Sequence, residues 1–400
     1  MAIISSKEQI KRSIEAASRG RQTVIFTPKG QHVIVNIIEP ENIEDIMPGL
    51  GVTGTHPAFL VNGKKVKHLL VGTYPSSIID NEGVSQAMSS ITPGDYEQMA
   101  DKINGMGTEW HMMNALEYGY FRMKAIQQGF RPLGNTADGN SNMFGWDNTV
   151  HTAFGLRTDG EKAGAASGVN EIDRLTQIYS GSGPASFRHD GTYNGVSDIV
   201  GNGFTFLYGV RFVGSDATGY EVQVLGRDNG PLTDYENGQL SMVYDGNGDW
   251  LAIDATTGGF ITPSHTGSLS SGNYAPTTNN SVRLFMSSAT PDSTLGNTGY
   301  ALPFADSGGA NMGFGLTLKN NVSAAATGRL RLIGALPFYE VSHGNTALVQ
   351  GNVESLTRYP ATGNIFRMLV APSGMFNMRL TTNAYNDRNH VTRVCSYVLE

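Results

Sequence analysis

The chain has 400 residues, more than one average domain, and carries a formal net charge of −7 with only 16% charged residues. It has no run rich in lysine and arginine, so no nucleic-acid partner is expected. The amino terminus lacks the basic-then-apolar order of a signal peptide, and no apolar run reaches membrane-spanning length. We therefore expect folding in a cytoplasm and no membrane insertion. Fifty glycines predict many tight turns between short strands.

Residues 1–46 predict a small module made of one helix and one hairpin. Ser6 can cap an amphipathic helix that ends at Gly20. Two β-branched runs, residues 22–27 and 31–38, then flank a Pro-Lys-Gly turn. Such a module buries little apolar surface alone. It should complete its core against a partner or its own copies, or else pack on the rest of the chain.

Residues 47–54 are rich in Gly and Pro and predict a linker to a main domain at residues 55–400. Within that domain, Asn114 and Glu117 have the spacing of a capping box, so a helix should begin at Ala115. Gly129 can supply the left-handed residue that ends it.

A resemblance to a known family starts from this helix. The stretch Gly107-Thr-Glu-Trp-His-Met-Met-Asn114, then Glu117, then Gly129-Phe-Arg-Pro-Leu-Gly-Asn135, resembles a signature of phage and prophage proteins. Those proteins carry a C-type-lectin-type domain, similar to that of formylglycine-generating enzymes and of retroelement-diversified phage tropism determinants. Two more blocks, His56–Gly63 and Gly181–Gly203, occur in the family's order.

The resemblance implies an α+β, C-type-lectin-type fold with two short helices. The first helix should carry Tyr96, Met99 and Ile103. Residues 135–178 are loop-like, and residues 226–330 are interpreted as a β-rich insertion. The family's Trp-Glu-Trp is replaced by Phe204-Thr-Phe206, so any role of that carboxylate does not carry over.

One short segment in the insertion raises the question of a calcium site. Asp245-Gly-Asn-Gly-Asp249 spaces its oxygens like the start of a calcium loop, but it lacks the sixth-position glycine and the closing glutamate. A hairpin turn is the preferred interpretation, because Asp-Gly and Asn-Gly pairs form turns by themselves.

The candidate binding face lies in the last forty residues. Ser373–Leu380 is similar to the family's frame Ala-Gly-x-Phe-x-x-x-Leu, in which the intervening residues meet the ligand. In this register Asn377, Arg379 and Thr381 share one face of a strand, while Phe376, Met378 and Leu380 point to the core. Phe366 stands where the frame has a tryptophan. The candidate ligand-binding residues are Phe366, Arg367, Asn377, Arg379, Thr381, Tyr385, Asn386, Asp387, Arg388 and Asn389.

Two alternatives remain open for this face. It could be an ordinary polar strand and turn, since exposed polar loops are common. The alignment could also slip by one residue, because Thr392-Arg393-Val394 replaces the family's terminal Gly-Phe-Arg. A slip of one residue would exchange the inward and outward sets.

Catalytic chemistry is not expected. Cys395 is the only cysteine, which excludes a disulfide and a multi-thiolate metal site, and it should be a buried strand residue. The related enzymes use two reactive cysteines. The motifs of zinc proteases, serine hydrolases and phosphate-binding loops are missing. His111 and His189 are interpreted as structural hydrogen-bonding residues, and no cofactor or metal is assigned.

The expected function is therefore that of a bacteriophage receptor-binding protein of a tail fibre or tail tip, located on the virion. Its partner would be a host-surface protein or glycan, and a homotrimer would add avidity. A capsid decoration or head-fibre protein is the alternative, and a polysaccharide-degrading tail protein is a minor one.

Overall fold

The computed structural model describes residues 6–61, 63–89, 96–107, 109–130, 132, 179–200, 204–215, 218–225, 235–236, 239–240, 250–267, 275–287, 315–319, 322–336, 355–358, 365–370, 375, 377–381 and 390–400. These residues form an α+β structure in which strands predominate and helices are few. The predicted loop at residues 135–178 and the Asp245–Asp249 turn lie outside the described residues. No helix within the described ranges is long and apolar enough to span a membrane.

Five α-helices occur in the described residues. They are α1 (Lys7–Ser18), α2 (Ile43–Ile46), α3 (Tyr96–Asn104), α4 (Ala115–Gln128) and α5 (Ala324–Leu332). The capping box predicted at Asn114 and Glu117 is confirmed, and Gly129 ends α4 in the left-handed conformation at φ 64°. Ser6 caps α1 as predicted. The left-handed residue that ends α1 is Arg19, one position before Gly20.

Most of the strands are short, as the glycine-rich composition predicts, but the strand Phe204–Ser215 has twelve residues. They are β1 (Gln22–Phe26), β2 (His32–Ile38), β3 (Leu60–Val61), β4 (Lys64–Gly72), β5 (Ser77–Ile79), β6 (Glu82–Val84), β7 (His111–Met112), β8 (Phe204–Ser215), β9 (Gly219–Leu225), β10 (Tyr235–Glu236), β11 (Gln239–Leu240), β12 (Trp250–Ile253), β13 (Phe260–Ile261), β14 (His265–Thr266), β15 (Ala275–Pro276), β16 (Arg283–Ser287), β17 (Gly315–Lys319), β18 (Ser355–Arg358), β19 (Ile365–Val370), β20 (Asn377–Thr381), β21 (His390–Val391) and β22 (Val394–Leu399).

The first sheet has six strands in the order β1-β2-β4-β22-β7, with β3 paired to β4. The predicted hairpin β1–β2 is present, and its second strand pairs antiparallel with β4, Val35 lying opposite Gly72. The amide groups of Gln22 and Asn36 also donate to the carbonyl oxygen of Asn194. The hairpin predicted within residues 1–46 thus shares a sheet with the carboxyl-terminal strand β22.

The segment predicted as a linker contributes to the core. Met47 and Leu50 are buried in the main hydrophobic cluster. Gly51 has φ +95°, and a Cβ placed there would lie 2.2 Å from the carbonyl oxygen of Ala324. Only glycine suits this approach to α5, because L-residues rarely adopt that φ and a methyl group would overlap the helix backbone.

The second sheet has ten strands, with the path β13-β12-β9-β8-β19-β20-β18. Strand β16 also pairs with β9, β17 with β16, and β21 with β8. Strands β12, β13, β16 and β17 come from the segment interpreted as an insertion and extend this sheet, whereas β10–β11 and β14–β15 from the same segment form separate two-stranded sheets. Near Gly209, which has φ +78°, the register of β8 against β19 shifts.

Helix α4 is packed in the core between these elements. Tyr118 and Phe121 are fully buried, and the Tyr118 hydroxyl donates to the Ile199 carbonyl oxygen at 3.2 Å. Tyr96, Met99 and Ile103 lie on α3, as predicted, and all three are buried. The backbone N–H of Tyr208 in β8 donates to the Met113 carbonyl oxygen at 3.0 Å, which ties the second sheet to the start of α4.

Candidate ligand-binding face

Five predicted ligand residues lie on the neighbouring strands β19 and β20, and four of them, all except Phe366, share one face. The antiparallel register places Arg367 opposite Thr381, and Arg379 opposite Leu369. Asn377 is the first residue of β20. Directly paired residues lie on the same face of a sheet. Arg367, Asn377, Arg379 and Thr381 therefore occupy positions on one face of this strand pair, and we call these four positions the polar row.

The opposite face of the pair is the core face. Phe366, Met368, Val370 and Met378 are each at most 1% exposed and belong to the main hydrophobic cluster. The burial of Met378 confirms the register in which it points inward. The prediction that Phe366 binds ligand is wrong, because its ring packs edge-on against Tyr220 with centroids 5.4 Å apart.

The other five predicted ligand residues, Tyr385, Asn386, Asp387, Arg388 and Asn389, lie outside the described residues. They follow β20 and precede β21, which pairs in parallel with β8. Strand β8 is the other neighbour of β19. Strands β20 and β21, which precede and follow these residues in the chain, both belong to the second sheet.

The polar row continues into a buried hydrogen-bond network on the same face of the sheet. Arg211 lies opposite Arg367 in the register and opposite Gln223 on its other side. The Arg211 Nε donates to Gln223 Oε1 at 2.7 Å, and the Gln223 amide donates to Glu221 Oε1 at 2.7 Å. Ser281 donates to Glu221 Oε2 at 2.5 Å. These four side chains are nearly inaccessible, at 0–2% exposed.

An aromatic ring covers the centre of this network. The Arg211 guanidinium lies 4.1 Å from the centroid of a Trp250 ring, a cation–π contact. A buried charge is tolerated when it is hydrogen-bonded and paired, and Arg211 and Glu221 are bridged through Gln223. The network thus gives a rigid polar support beside the position of Arg367. Sequence reasoning missed it, although Glu221, Gln223 and Arg211 alternate with apolar residues in their strands.

A second candidate surface lies on the core side of the second sheet. A small, mostly apolar cleft, part of it open to solvent, lies between the first turn of α4, the Gly209 bulge and α5. Phe260 and Arg329 form part of its wall, with the guanidinium 4.4 Å from the ring centroid. The cleft could accept a small apolar group beside one cation. No motif in the sequence indicated it.

The two histidines singled out from the sequence have hydrogen bonds that fit structural roles. His189 Nδ1 accepts the Val196 N–H at 2.8 Å, and burial lowers the pKa of His189 to about 4. Its ring packs edge-on against Phe121. His111 is fully buried, and its Nε2 lies 2.5 Å from Glu117 Oε1.

The surroundings of the single thiol, Cys395, disfavour reaction as a nucleophile. Cys395 lies in β22 and is fully buried, as predicted. Burial raises its pKa well above the usual value, and a hydrogen bond to the Glu117 carboxylate raises it further. A nucleophilic cysteine needs the thiolate form, which these surroundings disfavour.

Arg393 is buried and links two parts of the chain. It belongs to the Thr392-Arg393-Val394 segment, which stands in place of the terminal Gly-Phe-Arg of the resembling family. Its guanidinium donates to the carbonyl oxygens of Gly72 and Ser197, each at 2.7 Å, and of Asp198 at 3.1 Å. Burial lowers the pKa of Arg393 to about 10, within the range where it stays charged at neutral pH. Arg393 thus joins β4 to the 197–198 turn and is not available to a ligand.

No family model matches the chain, and no curated protein matches it either. The structure defines an α+β protein whose described residues form one six-stranded sheet, one ten-stranded sheet and three two-stranded ones.

Proposed function

We propose that this chain is a phage recognition protein with a C-type-lectin-type domain that binds a host-surface receptor through the polar row and the segment that follows it. The observation that carries the proposal is the register of β19 and β20. It brings two arginines, an asparagine and a threonine onto one face of neighbouring strands, while the alternate residues anchor the sheet in the core.

The side-chain chemistry of the row suits recognition. Arginine offers five donors in a planar fork and binds carboxylates, phosphates and sugar hydroxyls through paired hydrogen bonds. Asparagine and threonine add donors and acceptors of short reach. Binding sites concentrate such groups on a rigid support, because each ordered side chain then loses little entropy on binding. The neighbouring Arg211–Gln223–Glu221 network is such a support.

The arrangement of the resembling blocks is consistent with one lectin-type domain. Strand β4 follows the first block, and it pairs antiparallel with the last strand, β22. The block around Asn114 and the block around Ile199 meet at the Tyr118 hydroxyl. Helices α3 and α4 pack against the two sheets. These contacts support the proposal of a lectin-type fold without depending on any single motif.

The amino-terminal hairpin bears on how the chain would be attached to a particle. Because the hairpin is part of the first sheet, we propose that docking to other virion proteins uses the outer edge at β1 or α1 and not a tethered module. A homotrimer on the particle would multiply weak single-site binding. Light scattering of the purified chain gives its oligomeric state.

The test is binding of the fluorescently labelled full chain to a panel of bacterial cells and to polysaccharides isolated from their surfaces. We expect saturable binding to some strains, with Arg379→Ala weakening it at least tenfold. Lys65→Ala is the matched control, because Lys65 is an exposed cation on the other sheet and should leave binding unchanged. Equal loss in both variants would indicate nonspecific attraction, and no binding to any strain would contradict the proposal.

Two other outcomes would favour the alternatives. Antibody labelling that locates the chain on the capsid, without any effect of the antibody on adsorption, would favour a decoration or head-fibre protein. Release of reducing sugar ends from an isolated polysaccharide would favour a depolymerase, which needs two suitably spaced carboxylates.

A further inference from the structure

Three metal-ligating side chains that are far apart in the sequence meet in the core. Strands β7 and β22 pair so that His111 lies directly opposite Cys395. Glu117 joins them from the first turn of α4, where the capping box fixes its backbone. One ligand atom from each of the three residues lies within 4.8 Å of the other two, and all three side chains are fully buried. We call these residues the His-Glu-Cys cluster.

The hydrogen bonds in the cluster converge on one carboxylate. Glu117 Oε1 lies 2.5 Å from His111 Nε2, and the Cys395 thiol hydrogen-bonds to the same carboxylate. Glu117 Oε2 is held separately by the backbone N–H of Asn114 at 2.9 Å. Oε1 is therefore the oxygen left to act as a single ligand, and it already faces the imidazole.

The imidazole can present its lone pair at Nε2. Its other nitrogen, Nδ1, has no hydrogen-bond partner among the described residues, although it is buried. A bond accepted at Nδ1 would have forced the proton onto Nε2. In the metal-free cluster Nε2 carries the proton and donates it to Glu117 Oε1. A cation bound at Nε2 would take the place of that proton, which would move to Nδ1.

The charges in the cluster match a divalent ion. A thiolate and a carboxylate together carry two negative charges, which one divalent cation neutralises in the buried site. Sulfur, imidazole nitrogen and carboxylate oxygen together are a ligand set for zinc or cobalt, whereas magnesium and calcium prefer oxygen ligands alone.

We propose that the His-Glu-Cys cluster binds one zinc-class divalent cation through Cys395 Sγ, His111 Nε2 and Glu117 Oε1. Binding forms three metal–ligand bonds, and the Cys395 S–H bond breaks with release of its proton to solvent. No oxidant or reductant takes part. The ion would join β7, β22 and α4, and since all three ligands are buried it would be acquired during folding.

The test uses the full chain, unfolded in denaturant with a chelator and refolded with Co²⁺ or without metal. Co²⁺ bound to a thiolate gives a sulfur-to-metal charge-transfer band, and four-coordinate Co²⁺ gives strong visible bands. We expect one Co²⁺ per chain, both sets of bands, and displacement of Co²⁺ by one equivalent of Zn²⁺. Circular dichroism of each sample reports whether the chain has refolded.

Cys395→Ser should abolish the charge-transfer band, and Glu117→Gln should weaken Co²⁺ binding at least tenfold. His189→Asn is the matched control, because it removes another buried imidazole, keeps an acceptor for the Val196 N–H and should bind Co²⁺ like the wild type. If a variant fails to refold, the thermal stability of the wild-type chain still tests the proposal. Its thermal midpoint should rise with equimolar Zn²⁺ over chelator. The proposal would be overturned if the folded wild-type chain bound no metal and its thermal midpoint did not rise with Zn²⁺. It would also be overturned if Cys395→Ser gave the same Co²⁺ spectrum as the wild type.

Discussion

Replacing Gly119 with alanine should destabilise the protein, although alanine is the better helix former. At a helix-interior position, Gly→Ala usually stabilises by about 0.5–1 kcal/mol. Here a Cβ at Gly119 would lie 1.8 Å from the carbonyl oxygen of Leu332 in α5, against about 3.4 Å for an ordinary contact. Since the clashing atom belongs to the backbone, α4 and α5 must separate by about 1.6 Å, the difference between the two distances. Overpacking of this kind costs roughly 1–3 kcal/mol or more.

We therefore expect Gly119→Ala to lower the free energy of unfolding by about 2 kcal/mol, measured by urea denaturation with an unchanged slope. Gly129→Ala is the comparison, because nothing lies within 4 Å of its added Cβ and only the left-handed φ of 64° opposes the change. That variant should lose about 1–2 kcal/mol. A Gly119→Ala protein as stable as the wild type would refute the close packing of α4 on α5.

Three further predictions concern buried side chains. Acidification from pH 7 to pH 5 should lower the free energy of unfolding by about 4 kcal/mol. In the folded chain His56 and His189 stay neutral over this range, because burial lowers their pKa values to about 3 and about 4. In the unfolded chain both imidazoles gain a proton near pH 6.5. Their contribution is complete above pH 6.5 and declines as the pH falls. His56→Asn keeps an acceptor for the Ala58 N–H and should remove about half of this pH dependence in denaturation curves; an unaltered dependence would contradict the assignment. Phe366→Ala should lower the free energy of unfolding by about 3–5 kcal/mol in urea denaturation, because Phe366 is a core residue. A loss below about 1 kcal/mol would show that Phe366 is not packed in the core. Cys395 should react with an aromatic disulfide reagent only at the rate of unfolding, so rapid reaction of the native chain would show the thiol to be accessible.

The local features of the fold could be predicted from the sequence because short-range chemistry determines them. The Asn114–Glu117 capping box and the β1–β2 hairpin depend on residues a few positions apart. The burial of Met378 follows from period-two alternation within one strand. Each of these signals is complete within a short window, so distant parts of the chain do not alter it.

The wrong and missing assignments involve contacts between distant segments. The frame of the resembling family predicts that Phe366 contacts the ligand. Phe366, Met368 and Val370, however, stand at alternate positions of one strand and together form its core-facing set. The pairing of His111 with Cys395 depends on β22 entering the first sheet between β4 and β7, which no local pattern specifies. The share of residues 226–330 in the second sheet depends in the same way on pairing with β9.

Competition for adsorption tests receptor recognition most directly. Bacterial cells of a strain that binds the labelled chain are saturated with unlabelled purified chain, and adsorption of the phage particles to which the proposal assigns the protein is then measured. The account predicts that the wild-type chain slows adsorption at least tenfold, while Arg379→Ala at the same concentration leaves it near the untreated rate. Unchanged adsorption in the presence of saturating wild-type chain would contradict it.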